Sequence, residues 1–343
     1  MARMTDTERD ALIAEAKSNF DAKLEALANS PAEWLEFIES VASFGARYSV
    51  RNQIWLLQQA AEREVDPQYF QPYGTYAKVP GDPKARDLTK PLSGWVKAGR
   101  HVIKGETAFY VLAPCPLRYT ATEAAAHNAN PRVKRKVKAG DVKLTVFRLS
   151  PTFELSQTEP IEEGGPEFVV PTVETRRRVR QLGGTRPTLL EGTDPTGAFD
   201  DVVKLIKDEG YSFELIAPKT QHLSGGANGV TVRGPSMALV QVRNDVSDAQ
   251  RVKTTVHELA HILCGHLDGA TTSTHRGQNE TEAESVAHIV CKALGLDTEA
   301  YSAPYVAGWA DGDMKLVAAS ANTIVRVAKQ ILTALDPTEE ETA

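Results

Sequence analysis

Apolar residues recur at helical spacing in the last third of the chain, between residues 248 and 264. Ser247 followed by Gln250 is typical of the first turn of a helix, and Gly265 is typical of the position just past its end. The pattern therefore predicts an amphipathic helix over 248–264. The residues of its apolar face, at i, i+4, i+7, i+8 and i+11, are Val252, Val256, Leu259, Ala260 and Leu263.

This predicted helix carries an H-E-x-x-H motif from His257 to His261. Two histidines four residues apart stack one turn above each other, so both imidazoles can bind one tetrahedral Zn²⁺. Glu258 then projects next to the open coordination position, where a general base is needed. Chance matches occur on the order of once in a hundred chains and would be helices with two solvated histidines. We predict that His257 and His261 bind zinc and that Glu258 is the catalytic base.

A catalytic zinc site needs a third protein ligand. The pattern with a third histidine is excluded, because Cys264 and Leu267 stand where it requires a glycine and a histidine. A glutamate on the following helix is the alternative, and that helix is predicted from a second apolar stripe. The stripe consists of Ala283, Val286, Ala287, Val290 and Leu294.

Three glutamates border this second stripe. At 100° per residue, Glu280 lies about 60° and Glu284 about 100° from the stripe on one side, whereas Glu282 lies about 100° away on the other. We therefore predict that Glu280 is the third ligand and that Glu284 orients a ligating imidazole. Glu282 is expected to be solvated, and His266 to be a polar residue just past the helix end. Any single glutamate also fits an acidic first turn that suits the helix dipole.

The rest of the pattern predicts an α+β protein with two domains. Three amphipathic helices are expected before Asp66, followed by short β-prone pieces punctuated by Pro and Gly. A helix, a strand and a hairpin are expected to precede the H-E-x-x-H helix, and a last helix to span about 313–335. The predicted boundaries are 1–155 for the first domain, 156–196 for a linker, 197–335 for the second domain and 336–343 for an acidic tail.

The net charge of −6 is divided unevenly along the chain. Residues 43–140 carry 16 Lys and Arg against 7 Asp and Glu, a net charge of +9, so the remainder carries −15. Such asymmetry is expected when one domain binds a polyanion, although a solvated surface gives the same sum. The charged N-terminal segment, the lack of a long apolar run and three widely spaced cysteines favour a cytoplasmic protein without a membrane span.

Basic residues alternate with aromatic residues in the first domain. This combination suits single-stranded DNA, because cations neutralise phosphates and aromatic rings stack on unpaired bases. The alternative is that the aromatic rings fill the core of a small β-rich domain. The basic run from Arg132 to Lys138 is a second candidate surface. Our predicted DNA contacts are Arg51, Trp95, Lys97, Arg100 and Lys104.

Several short motifs in both halves together resemble one known family. In the first half they are Arg47-Tyr48-Ser49 with Asn52, Trp95, Gly99-Arg100, Lys104-Gly105-Glu106 and Leu112-Ala113-Pro114. In the second half they are Gly225 to Val230, Val252-Lys253-Thr254, His257 to His261, Glu280 with Glu282 to Ala287, and Pro304 to Trp309. With these motifs the chain resembles the ArdC-type antirestriction proteins. Residues 78–90 and 152–184 look like departures from the usual pattern.

The resemblance implies an N-terminal single-stranded-DNA-binding domain and a C-terminal zincin-like metallopeptidase domain. It further implies a protein of a mobile genetic element that escorts incoming single-stranded DNA and protects it from restriction. The residues leave a second function class open, in which the protein is a regulatory zinc metallopeptidase that cleaves a specific repressor. In that class the protein is a cytoplasmic enzyme and the basic domain only localises it.

Overall fold

The computed structural model describes the chain in thirteen stretches. They are residues 5–44, 48–74, 78–79, 82–86, 92–130, 135–161, 168–170, 172, 177, 197–217, 227–267, 273–296 and 313–336. Within these stretches the chain mixes α-helices with small β-sheets, which confirms the predicted α+β class. None of the helices within these stretches is long and apolar enough to span a membrane.

The helices are α1 (Asp6–Asn29), α2 (Pro31–Phe44), α3 (Val50–Glu62), α4 (Gly94–Lys97), α5 (Ala121–Ala129), α6 (Ala198–Asp208), α7 (Asp248–Cys264), α8 (Ser273–Ala293) and α9 (Met314–Leu335). The strands are β1 (Phe70–Gln71), β2 (Lys78–Val79), β3 (Asp82–Arg86), β4 (Arg100–Val102), β5 (Phe109–Arg118), β6 (Val142–Glu154), β7 (Thr158–Pro160), β8 (Ser212–Ile216), β9 (Gly229–Gly234) and β10 (Met237–Arg243). A 3₁₀ helix at Leu155–Gln157 separates β6 from β7.

The chain divides into two compact units. The first unit comprises Met1–Ile13 and Trp55–Phe168, and the second comprises Ala14–Ile54 and Val169–Ala343. These units differ from the predicted domains, because most of α1 and all of α2 join the second unit. The apolar stripe of α2 is fully buried and packs against α8. Its members are Trp34, Phe37, Ile38 and Val41.

The first unit is built on an antiparallel sheet in the order β1, β6, β5. β5 and β6 pair from Phe109 with Thr152 to Arg118 with Val142. The end of this long ribbon that includes Phe109 and Thr152 is buried, whereas its other end is exposed. We call the exposed part, Pro114–Arg118 paired with Val142–Phe147, the outer ribbon.

The second unit combines a three-stranded sheet with packed helices. In the order β8, β10, β9, β8 lies parallel to β10 and β9 lies antiparallel to it. α7 spans the range that the apolar pattern predicts: Gln250 N–H donates to Ser247 Oγ at 3.3 Å, and Gly265 adopts a left-handed conformation with φ of 78°. The core that joins α7, α8 and α9 includes Val256, Leu259, Val286, Val290, Ile324 and Ala328.

One acidic side chain links α2 to α8 within the second unit. Glu39 accepts a hydrogen bond from His288 Nε2 at 2.6 Å and binds the ammonium of Lys292. Burial raises the pKa of Glu39, but the bonds from Lys292 and His288 outweigh burial and hold it below its ordinary value. Burial lowers the pKa of His288, so this imidazole is neutral near pH 7.

Glu39→Gln is expected to destabilise the protein by roughly 1 kcal/mol near neutral pH, a modest value because the Glu39 carboxylate is partly exposed. The folded pKa of Glu39 lies below its unfolded value, so its stabilising effect is present above about pH 4.5 and is lost as the pH falls through the folded pKa. Urea unfolding at about pH 7 and about pH 3 measures this. A wild-type to variant difference that is equal at both pH values would contradict it. Glu209→Gln, at an exposed position of the second unit, is the control.

Candidate metal centre

Three side chains from two helices converge in the second unit. α7 stacks His257 and His261 one turn apart, and their Nε2 atoms lie 3.1 Å from each other. From α8, Glu280 Oε2 lies 3.6 Å from His257 Nε2 and 3.9 Å from His261 Nε2. Ligand atoms around a tetrahedral zinc ion are about 3.4 Å apart. The separations of the three donors therefore fit one small divalent cation.

The electrostatics of the two imidazoles also fit a cation between them. Burial lowers the pKa of His257, but the neighbouring carboxylates of Glu280 and Glu284 outweigh burial and raise it. Burial and the neighbouring charge of His257 lower the pKa of His261. One positive charge therefore sits between two facing ring nitrogens. A metal ion would replace that proton and use both lone pairs.

Glu258 is held close to these donors but points to the sheet. Its side chain is buried, and Oε2 accepts a hydrogen bond from Thr231 Oγ1 of β9 at 2.6 Å. Burial raises the pKa of Glu258 although the bond from Thr231 opposes the shift. A raised pKa brings a carboxylate closer to the range in which general bases are efficient.

The glycine at position 229 makes room for this carboxylate. A Cβ atom there would lie 2.8 Å from Glu258 Oε1 and 2.6 Å from Thr254 Cγ2, closer than side chains tolerate. β9 can therefore approach α7 this closely only with glycine at this point, unless both Thr254 and Glu258 are displaced.

Glu284 lies beside the ring of His257, one turn beyond Glu280. Its Oε2 is 3.2 Å from His257 Nδ1, and its Oε1 is 2.8 Å from the ammonium of Lys253. A carboxylate on Nδ1 leaves Nε2 free for a cation, and this geometry suits the orienting role that the spacing suggested.

The structure corrects the expectation about Glu282 and adds contacts to His266. Glu282, expected to be solvated, is 4% exposed and accepts hydrogen bonds from Ser320 Oγ and Gln278 Nε2 at 2.7 and 2.9 Å. His266 lies just past the helix end, as expected, and also contacts His261 and Glu282. The reason is α9, which supplies Ser320 and covers the side of α8 that carries Glu282. The apolar pattern of α8 alone does not reveal this cover.

The five predicted DNA contacts are not all exposed. Trp95 is fully buried, with its Nε1–H donating to Phe153 O at 3.0 Å and its ring against Tyr69. The expectation that this ring stacks on a base is therefore wrong, because folding already uses both its face and its donor. Arg51 belongs to the second unit, whereas Trp95, Lys97, Arg100 and Lys104 belong to the first.

Three of the other predicted contacts differ in how accessible their side chains are to a ligand. The Arg100 guanidinium donates to Thr158 Oγ1 at 2.8 Å and to Thr158 O at 2.6 Å, which binds β4 to β7. Arg100 therefore stabilises the pairing of β4 with β7. Lys97 and Lys104 are exposed.

Comparison with known proteins gives distant relationships. No model of a known protein family matches the chain. A segment of 221 residues, 62% of this chain, is 29% identical to an uncharacterized protein of Bacillus anthracis, pXO2-81, and spans 36% of that protein's length.

Two crystal structures resemble the fold. The Mn(II)-bound structure of the antirestriction ArdC protein from the R388 plasmid superposes with a TM-score of 0.45 and 15% identity, over 95% of this chain and 98% of that one. The metal-free structure of the same protein gives a TM-score of 0.38 and 15% identity, over 84% of each chain.

Proposed function

We propose that the second unit is a zincin-like, metal-dependent peptidase domain. His257, His261 and Glu280 would hold the metal, which we propose to be Zn²⁺, and Glu258 would be the general base. The observation that carries the proposal is the convergence of three donors within 3.9 Å of one another beside a buried carboxylate. Bound zinc acts as a Lewis acid toward a carbonyl oxygen and toward water. Glu258 would accept a proton from the attacking water and return it to the leaving amine.

The position of β9 supports a peptide as the substrate. In the part of the sheet that the structure describes, β9 pairs only with β10, so its other side is an edge. An extended peptide can add to such an edge through main-chain hydrogen bonds. Because Thr231 of β9 binds Glu258, a peptide paired along this edge would pass close to the base.

The first unit is proposed to bind single-stranded DNA through the outer ribbon. Phe147 is 64% exposed, so most of its ring is accessible. Arg118 and Lys143 lie on the outer ribbon, where Arg118 also donates to Gly140 O and Lys143 also binds Glu123; Arg148 follows Phe147 on β6 and points to the opposite face. A ribbon that carries both an exposed ring and cations suits unpaired bases and their phosphates. The ribbon replaces Trp95 as the proposed stacking site.

Phe147→Ala is expected to weaken single-stranded DNA binding by about 1–3 kcal/mol without changing the salt dependence, because a stacked ring neutralises no phosphate. Arg148→Ala is expected to weaken binding to unrelated sequences similarly and to flatten the slope of log K against log salt by about 0.7. Fluorescence anisotropy with labelled oligonucleotides over a salt series measures both effects. Leu215→Ala and Lys204→Ala, at exposed positions of the second unit, are the controls.

Two results would count against this interface. Preference for duplex over single strand would remove the stacking argument. If only Lys97→Ala and Lys104→Ala weakened DNA binding, the interface would instead lie at the predicted turn around β4. Together with the motif resemblance, the proposed DNA binding and the proposed metal centre lead us to propose an antirestriction role for the whole chain.

A further inference from the structure

His266 returns to α7 immediately after the helix ends. The left-handed Gly265 turns the chain, and His266 N–H donates to His261 O at 3.1 Å. The turn places His266 Nδ1 2.8 Å from His261 Nδ1. The two rings meet at 68° with centroids 5.0 Å apart, so they contact edge to face and not as a stack. This geometry is that of a hydrogen bond between the two Nδ1 atoms.

The direction of this hydrogen bond follows from the metal centre. His261 Nε2 faces His257 and Glu280, so it must offer a lone pair to bind a cation. A neutral imidazole with a free Nε2 carries its proton on Nδ1. His261 Nδ1–H therefore donates to His266 Nδ1, and His266 carries its own proton on Nε2. That Nε2–H donates to Glu282 Oε2 at 3.0 Å.

The chain of hydrogen bonds ends in a fixed carboxylate. Glu282 Oε1 accepts from Ser320 on α9 and from Gln278 one turn earlier on α8. Gln278 Nε2 also lies 3.1 Å from Ser320 Oγ, which closes a small buried network. The side chains of His266 and Glu282 are 7% and 5% exposed, so water competes little for these bonds.

We propose that His266 and Glu282 are positioning residues that fix the ring of His261 for metal binding. We call this pair the His266–Glu282 arm, and the proposal rests on the metal site proposed above. The arm selects the Nδ1–H tautomer of His261 and prevents its ring from rotating, as partners of metal-binding histidines do. Glu284 fixes the ring of His257 in the same way, through Nδ1. The arm also ties the metal site to α9 through Ser320.

The same residues offer a competing arrangement. Cys264, His266 and Glu282 each have a ligand atom within 4.8 Å of the others, so they could hold a second metal ion. The hydrogen bonds favour the arm, because His266 Nε2 carries a proton in it and Glu282 already accepts three bonds.

Zinc titration of the full chain against a chromophoric chelator tests the arm. His266→Ala is expected to raise the dissociation constant about 10–100-fold with the fold intact by circular dichroism. His266→Gln should recover part of the affinity, because an amide offers both an acceptor and a donor. Cys264→Ala should leave affinity and stoichiometry unchanged. Unchanged affinity in His266→Ala would overturn the arm and leave the metal site intact.

Two further results separate the possibilities. Two zinc ions per wild-type chain, falling to one in Cys264→Ala, would overturn the arm in favour of a second metal site. A wild-type chain that binds no zinc would overturn the proposed metal centre and the arm with it.

Long-range ¹H–¹⁵N NMR provides a readout independent of affinity: we expect Nδ1–H on His261 and Nε2–H on His266. The opposite tautomers in the zinc-loaded protein would overturn the arm.

Discussion

A Glu258→Gln variant is expected to retain the metal but to hydrolyse peptide bonds roughly 10²–10⁴-fold more slowly, the usual contribution of a general base. The amide has nearly the same shape as the carboxylate and can keep the hydrogen bond with Thr231, but it cannot accept a proton from water. The rate is measured as cleavage of labelled casein by the zinc-loaded protein, alongside zinc content by mass spectrometry.

The control for this variant is Glu209→Gln, at an exposed position of the second unit. Equal rates for wild type and Glu258→Gln would show that Glu258 is not the base. Zinc loss in Glu258→Gln would mean that this residue supports the metal site, and its rate would then not report proton transfer. A zinc-loaded wild-type chain that cleaves nothing under these conditions would contradict the peptidase proposal.

Leu259→Ala is expected to destabilise the protein by about 2–5 kcal/mol, the cost of removing a large aliphatic side chain from a packed core. Leu259 is fully buried and lies on α7 between Glu258 and His261. Its loss would leave a cavity beneath the helix that carries the metal ligands. Urea unfolding monitored by circular dichroism measures the change.

Leu215→Ala tests the same loss of side-chain volume at an exposed position of β8. We expect its effect to stay within about 0.5 kcal/mol. Similar destabilisation by both variants would contradict the packing of α7 described above. Weaker zinc binding in Leu259→Ala, measured where the protein is still folded, would indicate that the core also sets the geometry of the ligands.

The features that the sequence predicts well are local ones. The bounds of α7 follow from Ser247, Gly265 and an apolar stripe, because capping and amphipathic spacing are decided within one helix. The facing of His257 and His261 likewise follows from a separation of four residues. The position of Glu280 near the two histidines follows from the spacing with one further assumption, the helical phase of α8.

What the sequence does not predict depends on which element covers which face. The apolar stripe of α2 predicts that this face is buried, but it does not predict which element covers it. In the structure α2 packs against α8 in the second unit. The burial of Glu282 and its contact with His266 do not follow from the local pattern, because Ser320, 38 residues beyond Glu282, completes their network. Trp95 illustrates the same limit, since an aromatic residue among cations has the same pattern whether its ring is buried or exposed.

The most direct test of the proposed metal centre is the position of a bound metal ion. A crystal of the full chain grown with Zn²⁺, with anomalous scattering measured at the zinc edge, provides it. We predict one zinc peak about 2.0–2.2 Å from His257 Nε2, His261 Nε2 and a carboxylate oxygen of Glu280. A peak bound instead by Cys264, His266 and Glu282, or no peak at the predicted position at saturating zinc, would contradict the account.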